Sequence, residues 1–181
     1  MGKYEDLEVK AQPGAFSTLD MEVLVPEVEK LQAGEIYVEI GTDKGKSLSV
    51  ARMVIGDNIN MYAIDIQYTD ELREYFKNIE GIEFFWMRSK TAAQVWKERG
   101  MPKIYCLFID GDHSYEGCKT DIQSWYPHMV EHGVMLFHDC DESSPGVVQA
   151  VAEFVDTHRG IVKWEMYKRT DKNTSMSKIQ L

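Results

Sequence analysis

From residue 35 onward, short apolar runs alternate with amphipathic segments, and that alternation restricts the fold more than any other property of the chain. The runs at 36–40, 61–64, 82–86, 104–109 and 133–137 are of strand length, and largely apolar runs of that length read as strands buried on both faces. Between them, 46–55, 70–77, 91–99 and 115–129 repeat apolar residues at steps of three and four, the spacing of a helix with one buried stripe. Leu48, Ala51, Val54 and Ile55 make one stripe, closed by Gly56; Tyr115, Cys118, Ile122, Trp125 and Met129 make another. Ser144-Pro145 reads as an N-cap with proline in the first turn of a further helix that ends at Gly160. Residues 161–167 and 175–181 alternate enough for a closing hairpin turned around Thr170 to Asn173. The expected architecture is α/β and doubly wound: a mainly parallel, seven-stranded sheet, helices on both faces, and a C-terminal antiparallel hairpin.

The first 17 or so residues are polar and read as irregular. Leu19, Val23 and Leu24 precede Pro26, and Val28 and Leu31 follow it, which predicts two short helical pieces broken at the proline. An N-terminal helical segment, 1–33, thus precedes a domain at 34–181. Composition narrows the partners. Twenty lysines and arginines face 30 aspartates and glutamates, a formal charge of −10, which argues against nucleic acid or an anionic membrane as main partner. No apolar run reaches membrane-spanning length. The cysteines Cys106, Cys118 and Cys140 are odd in number with no CxxC, which reads as reduced thiols in a cytoplasmic protein. Cys140 follows His138-Asp139, but its acidic neighbours do not suit a reactive thiolate. Trp86, Trp96, Trp125 and Trp164 read as core; Tyr68 and Tyr115 are better placed to line an acceptor pocket.

Two strands stop abruptly at acids and histidine: Phe108-Ile109-Asp110-Gly111-Asp112-His113-Ser114-Tyr115 and Phe137-His138-Asp139. Polar groups at the end of a buried strand stand at the sheet rim, where open α/β folds bind ligands. Asp110, His138 and Asp139 are candidate metal ligands, and Asp112 and His113 candidate proton acceptors.

The first strand leads through Glu39-Ile40-Gly41-Thr42-Asp43-Lys44-Gly45-Lys46-Ser47 into a helix. A phosphate-binding loop needs four residues between its first glycine and Gly-Lys-Ser; three separate Gly41 from Gly45. A dinucleotide fingerprint needs glycine where Asp43 stands, and a carboxylate there repels pyrophosphate. A nucleoside without phosphates, carrying an ammonium group, suits Glu39 and Asp43 better; a merely tight turn is the remaining reading. Asp65, at the end of the second strand, stands where ribose hydroxyls would be bound, and Ser89, after the third, where an adenine edge would lie.

Together these motifs resemble the class I S-adenosylmethionine-dependent methyltransferases. The matching residues are Val38-Glu39-Ile40-Gly41 with Gly45 and Ser47, Ala63-Ile64-Asp65, the Asp110-to-Gly117 run, and Gly133 to Asp139. The Asp-Gly-Asp-His-Ser-Tyr run with Phe-His-Asp is similar to the branch holding macrocin O-methyltransferases and cephalosporin-hydroxylase-like proteins. The resemblance implies a Rossmann-like methyltransferase fold. Glu39 would meet the methionine ammonium, Gly41 the methionine backbone and Asp65 the ribose; Thr42, Gly45, Ser47, Ser89 and Asp110 would complete the cofactor site. It also implies Mg²⁺ or Mn²⁺ at Asp110 and the His138-Asp139 pair, although better-described members carry an acid at the position of His138. The expected reaction is methyl transfer to an oxygen of a small acceptor, a sugar or polyol. Because the segment before residue 34 is short, the lid over the acceptor is small or is completed by a second subunit in a homodimer. Rival readings are an NAD- or ATP-dependent enzyme on a related fold and a non-catalytic methyltransferase-like module.

Overall fold

The computed structural model describes residues 2–160, 162–167 and 176–181. The turn expected around Thr170 to Asn173 lies outside them, as do Ile161 and Ser175. The strands β1 (Ile36–Ile40), β2 (Asn60–Asp65), β3 (Ile82–Trp86), β4 (Ile104–Ile109), β5 (Met129–Phe137), β6 (Lys163–Tyr167) and β7 (Met176–Gln180) form one seven-stranded sheet in the order β3-β2-β1-β4-β5-β7-β6. The first five pair in parallel, and β7 runs antiparallel to both β5 and β6. The order reverses between β1 and β4, the switch point at which such sheets open a crevice.

The helices are α1 (Lys3–Lys10), α2 (Thr18–Val28), α3 (Lys46–Ile55), α4 (Asp70–Phe76), α5 (Ser89–Glu98), α6 (Tyr115–Trp125) and α7 (Pro145–Thr157). Strand alternation sorts the core into two layers. Ile36, Val38, Ile40, Leu107, Ile109, Met135 and Phe137 pack with Trp96, Trp125 and Val151, from α5, α6 and α7. Tyr37, Met61, Ala63, Cys106, Phe108, Val134 and Leu136 pack with Met21, Leu24, Leu48, Leu72 and Phe76, from α2, α3 and α4. The N-terminal segment therefore shares the core of the sheet. Among the described residues no helix is long and apolar enough to cross a membrane.

Four expectations are corrected. Residues 3–10, read as irregular, form α1. Pro26 does not break α2: it removes a single donor near the helix end, and the Glu29 N–H still bonds the Val25 carbonyl at 3.0 Å. The helical stripe ends at Trp125, because Pro127 lies in a 3-10 turn over Tyr126–His128, and Met129 already belongs to β5. That strand starts earlier than expected because left-handed His132 (φ 66°) and Gly133 form an irregularity, matched by a register shift in β4 between Ile104 and Cys106. Pro145 does open α7, but Ser144 at its N-cap makes no side-chain capping bond.

Gly41 carries the closest approach in the sheet. Its φ is +83°, and a Cβ there would lie 2.1 Å from the Asp110 carbonyl oxygen and 2.8 Å from Gly111 Cα. Gly34 also has a positive φ, +93°, but a Cβ would meet nothing within 4 Å. Gly41→Ala should destabilise the chain by about 3 kcal/mol or more, combining left-handed strain with overpacking against backbone. Gly34→Ala should lose only about 1 kcal/mol, the strain alone. Urea unfolding of the two variants checks this; equal losses would mean that the β1–β4 contact relaxes freely.

Candidate active site

The rim of the sheet is in register. The Gly41 N–H bonds the Ile64 carbonyl (2.9 Å), the Asp110 N–H the Ile40 carbonyl (2.8 Å), and the His138 N–H the Ile109 carbonyl (3.0 Å). Alternation along β1, β2, β4 and β5 sends Glu39, Asp65, Asp110 and His138 to the face covered by α2, α3 and α4. The sheet thus brings together residues that lie far apart in the chain.

The glycine turn is held open by Asp65. Its Oδ2 accepts the N–H groups of Thr42 (2.8 Å) and Asp43 (2.9 Å), and its Oδ1 accepts that of Gln67 (2.8 Å). Gly41, Asp43 and Gly45 all have positive φ, which curls the turn tightly. Thr42 is buried, and its Oγ1 has no hydrogen-bond partner. Lys46 does not face the turn: its Nζ pairs with Glu8 of α1 at 2.5 Å. That removes the cation a phosphate-binding loop would need and adds to the spacing argument against one.

Glu39 is fully buried. Its Oε2 accepts from the Tyr37 hydroxyl (2.7 Å) and its Oε1 from the Ser47 hydroxyl (2.8 Å). Ser47 is therefore engaged with Glu39 inside the fold. Burial outweighs these two bonds and pushes the Glu39 pKa up to about 8. Ser89 opens α5, but its hydroxyl also turns inward, accepting from Trp125 Nε1 (2.8 Å) and bonding the buried Asp121 carboxyl. Burial pushes that carboxyl up to about 6.

The second half of the site is a knot of acids and imidazoles. His138 Nδ1 lies 3.2 Å from Asp110 Oδ1 and 3.4 Å from Asp139 Oδ2, while its Nε2 lies 3.6 Å from Asp20 Oδ2. These contacts are ion pairs, since neither ring nitrogen makes an aligned hydrogen bond. Burial opposes the charged ring, but Asp110, Asp139 and Asp20 outweigh it and push the pKa up to about 12. His113 stands further out, 41% exposed, with Nε2 3.3 Å from Asp110 Oδ1 and Nδ1 3.6 Å from Asp139 Oδ2. Its pKa is raised, chiefly by the Asp110 carboxylate. Asp110, half-buried, is in contact with both imidazoles; burial opposes its charge, but the two rings outweigh that and hold it below its ordinary value. Donor atoms of Asp110, His113 and Asp139 lie within 4.8 Å of one another, close enough to surround one cation. His138, expected beside the two acids, does contact both of them, but the three donor groups in mutual reach are Asp110, His113 and Asp139.

Asp112 is occupied elsewhere. Its Oδ1 accepts the Ser114 N–H at 2.9 Å, and its carboxyl is held below its usual value by Ser114. Tyr115 does not face the rim either; its hydroxyl bonds Glu153, with Lys119 beside both. Gly146 lets α7 press onto this loop, since a Cβ there would lie 2.5 Å from Tyr115 N and 2.8 Å from the His113 carbonyl. Tyr68 is exposed and packs on Trp86, with ring centroids 4.5 Å apart. Ile66, directly after Asp65, is 66% exposed. All three cysteines are buried and none is in a disulfide; burial pushes Cys118 up to about 12.

Three residues of this site escape sequence reasoning: Asp20, Phe16 and Gly146. Asp20 has a faint signature, an acid three residues after Ser17, the spacing of a capping box.

Comparison with known proteins agrees with this fold. Residues 38–140 match a family model described as a methyltransferase domain. The chain belongs to that family, the class I S-adenosylmethionine-dependent methyltransferases. It is 33% identical over 145 residues to uncharacterized protein R132 of Acanthamoeba polyphaga mimivirus, a match spanning 73% of this chain and 64% of the viral protein. An O-methyltransferase from Bacillus cereus, solved with S-adenosylhomocysteine, superposes with a TM-score of 0.77 at 12% identity, covering 98% of this chain and 90% of that one. An rRNA methylase from Streptococcus thermophilus superposes at 0.68 and 13% identity, covering 94% and 98%. One fold therefore serves very different acceptors, and the acceptor has to be argued from the site.

The Glu39 carboxyl gives a pH-dependent stability. Below about pH 4.5 both folded and unfolded chains hold its proton; between about 4.5 and about 8 only the folded chain does. Stability should therefore fall as pH rises through that window, by a few kcal/mol at most at about 1.4 kcal/mol per pKa unit. Urea unfolding at several pH values should show Glu39→Gln with a flatter slope. Identical slopes in variant and wild type would mean that Glu39 is already ionised in the fold.

Proposed function

We propose that the chain moves a methyl group from S-adenosylmethionine to a hydroxyl oxygen of a small acceptor, a sugar or polyol, with a divalent cation at the rim. The observation that carries this reading is the adjacency of two half-sites. Gly41, in the turn assigned to the cofactor, touches the backbone of Asp110, the first acid of the cation cluster.

The residues suit both groups. The glycine turn leaves close backbone approach for the methionine end, Thr42 Oγ1 lacks a partner, and Asp65 keeps lone pairs for ribose hydroxyls beyond the three N–H groups it accepts. Glu39, with Ser47 and Tyr37 behind it, gives up its proton as the ammonium arrives and becomes its counter-charge. Exposed Ile66 offers an apolar surface to the base. Asp110 and Asp139 supply hard oxygens, and the neighbouring His113 nitrogen favours Mn²⁺ over Mg²⁺. His138, ringed by three acids, keeps its proton and serves as a charge among them.

A bound divalent cation would lower the pKa of an acceptor hydroxyl and orient it. The chain's own residues then have three tasks. The turn at Gly41 to Gly45 orients the methyl donor. Asp110 and Asp139 set where the acceptor oxygen stands. His113, the most exposed member of the cluster, receives the acceptor proton on the ring nitrogen that the cation leaves free. Asp112, engaged at the start of α6, does not serve as the base in this reading.

The test is calorimetric titration of S-adenosylmethionine and S-adenosylhomocysteine, with and without Mn²⁺. Micromolar binding of both nucleosides is expected, with heat or affinity that depends on the cation. Asp139→Ala should weaken Mn²⁺ binding at least about tenfold while preserving nucleoside binding, as loss of one ligand predicts. Binding of NAD or ATP in place of S-adenosylmethionine would overturn the class of cofactor. Nucleoside binding indifferent to Mn²⁺ and to Asp139→Ala would overturn the cation.

A further inference from the structure

We infer that Asp20, on the N-terminal helix α2, is a positioning residue for the rim: it holds the His138 imidazole so that the ring's other nitrogen faces Asp110 and Asp139. The inference rests on the cation reading above for its consequence, and on geometry alone for the contact.

Asp20 is a poor fit to a simple capping role. Its Oδ2 accepts both the N–H and the hydroxyl of Ser17, each at 2.7 Å, completing a capping box at the start of α2. A capping acid needs no burial, since water completes its hydration. Asp20 is only 2% exposed, and a carboxylate is withdrawn from water at a cost unless it is paired. The same Oδ2 lies 3.6 Å from His138 Nε2. The acid that closes the helix start is therefore also the back wall of the imidazole.

The ring is fixed from its faces as well. Phe16, two residues outside the first turn of α2, packs on it with centroids 5.8 Å apart, and Phe108 of β4 meets it edge-on at 6.2 Å. Phe16 and Phe108 also touch each other, at 5.9 Å. With one nitrogen on Asp20 and both aromatic contacts made, the other nitrogen is left between Asp110 Oδ1 and Asp139 Oδ2, at 3.2 and 3.4 Å. Those two oxygens are the ones that approach His113. The path Asp20–His138–Asp110/Asp139 thus runs from the N-terminal segment to the open end of the site, and Phe16 and Asp20 complete a site whose other residues come from residue 37 onward.

The experiment compares wild type, Asp20→Asn and Ser17→Ala by imidazole ¹⁵N–¹H correlation spectra of the metal-free protein, with His138 assigned through His138→Gln, and by Mn²⁺ and S-adenosylhomocysteine titration. Asp20→Asn should move the His138 ring signals and weaken Mn²⁺ binding about tenfold, the usual effect of removing a residue that orients a metal site from behind. It should leave S-adenosylhomocysteine affinity unchanged. Ser17→Ala, which removes the capping hydroxyl but not the acid, should lower the melting temperature without moving those signals. In the His138→Gln background, Asp20→Asn should no longer affect Mn²⁺ affinity. Should Asp20→Asn not fold, Asp20→Ser serves in the same scheme. Unmoved His138 signals in a folded Asp20 variant would overturn the inference, as would an undiminished effect of Asp20→Asn on Mn²⁺ in the His138→Gln background. Wild type that binds no nucleoside or no Mn²⁺ would instead overturn the proposed function, and the metal-free spectra would still decide the Asp20 contact.

Discussion

The contact between Gly41 and the Asp110 backbone is the constraint on which the rest of the site depends. β1 and β4 are neighbours at the point where the strand order reverses, so their loops diverge above the sheet and leave a crevice. The absence of a side chain at Gly41 lets the two strand ends stay in register to the last hydrogen bond. Asp65 then gathers the turn from the other side through the Thr42 and Asp43 amides. A larger residue at the first position would lift the turn away from Asp110 and separate the two halves of the site.

Charge is handled unusually in that crevice. Asp20, Asp110 and Asp139 converge on one buried imidazole, and Glu39, on the same face, has no ion pair among the described residues. The fold resolves the two cases in opposite ways. Around His138 the neighbouring acids favour the charged ring. Around Glu39 the hydrogen bonds come from hydroxyls, and burial moves the carboxyl toward its neutral form. One acid is thereby left without a positive partner among its hydrogen bonds, whereas the others share the His138 imidazole.

The sheet was legible because buried strands carry their own signature. β1, β3 and β4 match the apolar runs residue for residue, and the acids at the strand ends fall at the rim as their positions imply. Periodicity failed where a local backbone feature overrode it. Met129 continues the helical stripe of Tyr115 to Trp125, but Pro127 ends the helix before it arrives. Pro26 looked disruptive, yet its single lost bond near a helix end is tolerated. Asp20 was illegible because an acid in an apolar helix is normally its exposed face; only the fold shows that His138 waits on the other side. The sequence assigned His138 to a metal and His113 to a proton, but their relative exposure, which depends on α2 closing over one and not the other, leaves no mark in it.

The position of β7 bears on how the molecule is assembled. Met176–Gln180 follows β6 in the chain, yet it lies between β5 and β6 and pairs with both. Until that segment has left the ribosome, β5 presents an unsatisfied ladder of amides, and β6 has no strand beside it. The parallel half of the sheet, with its crevice, can form during synthesis, whereas the antiparallel half waits for β7 to slot in. The bare edge of β5 is thus the surface most exposed to wrong pairing in the nascent chain, and the late strand is what retires it.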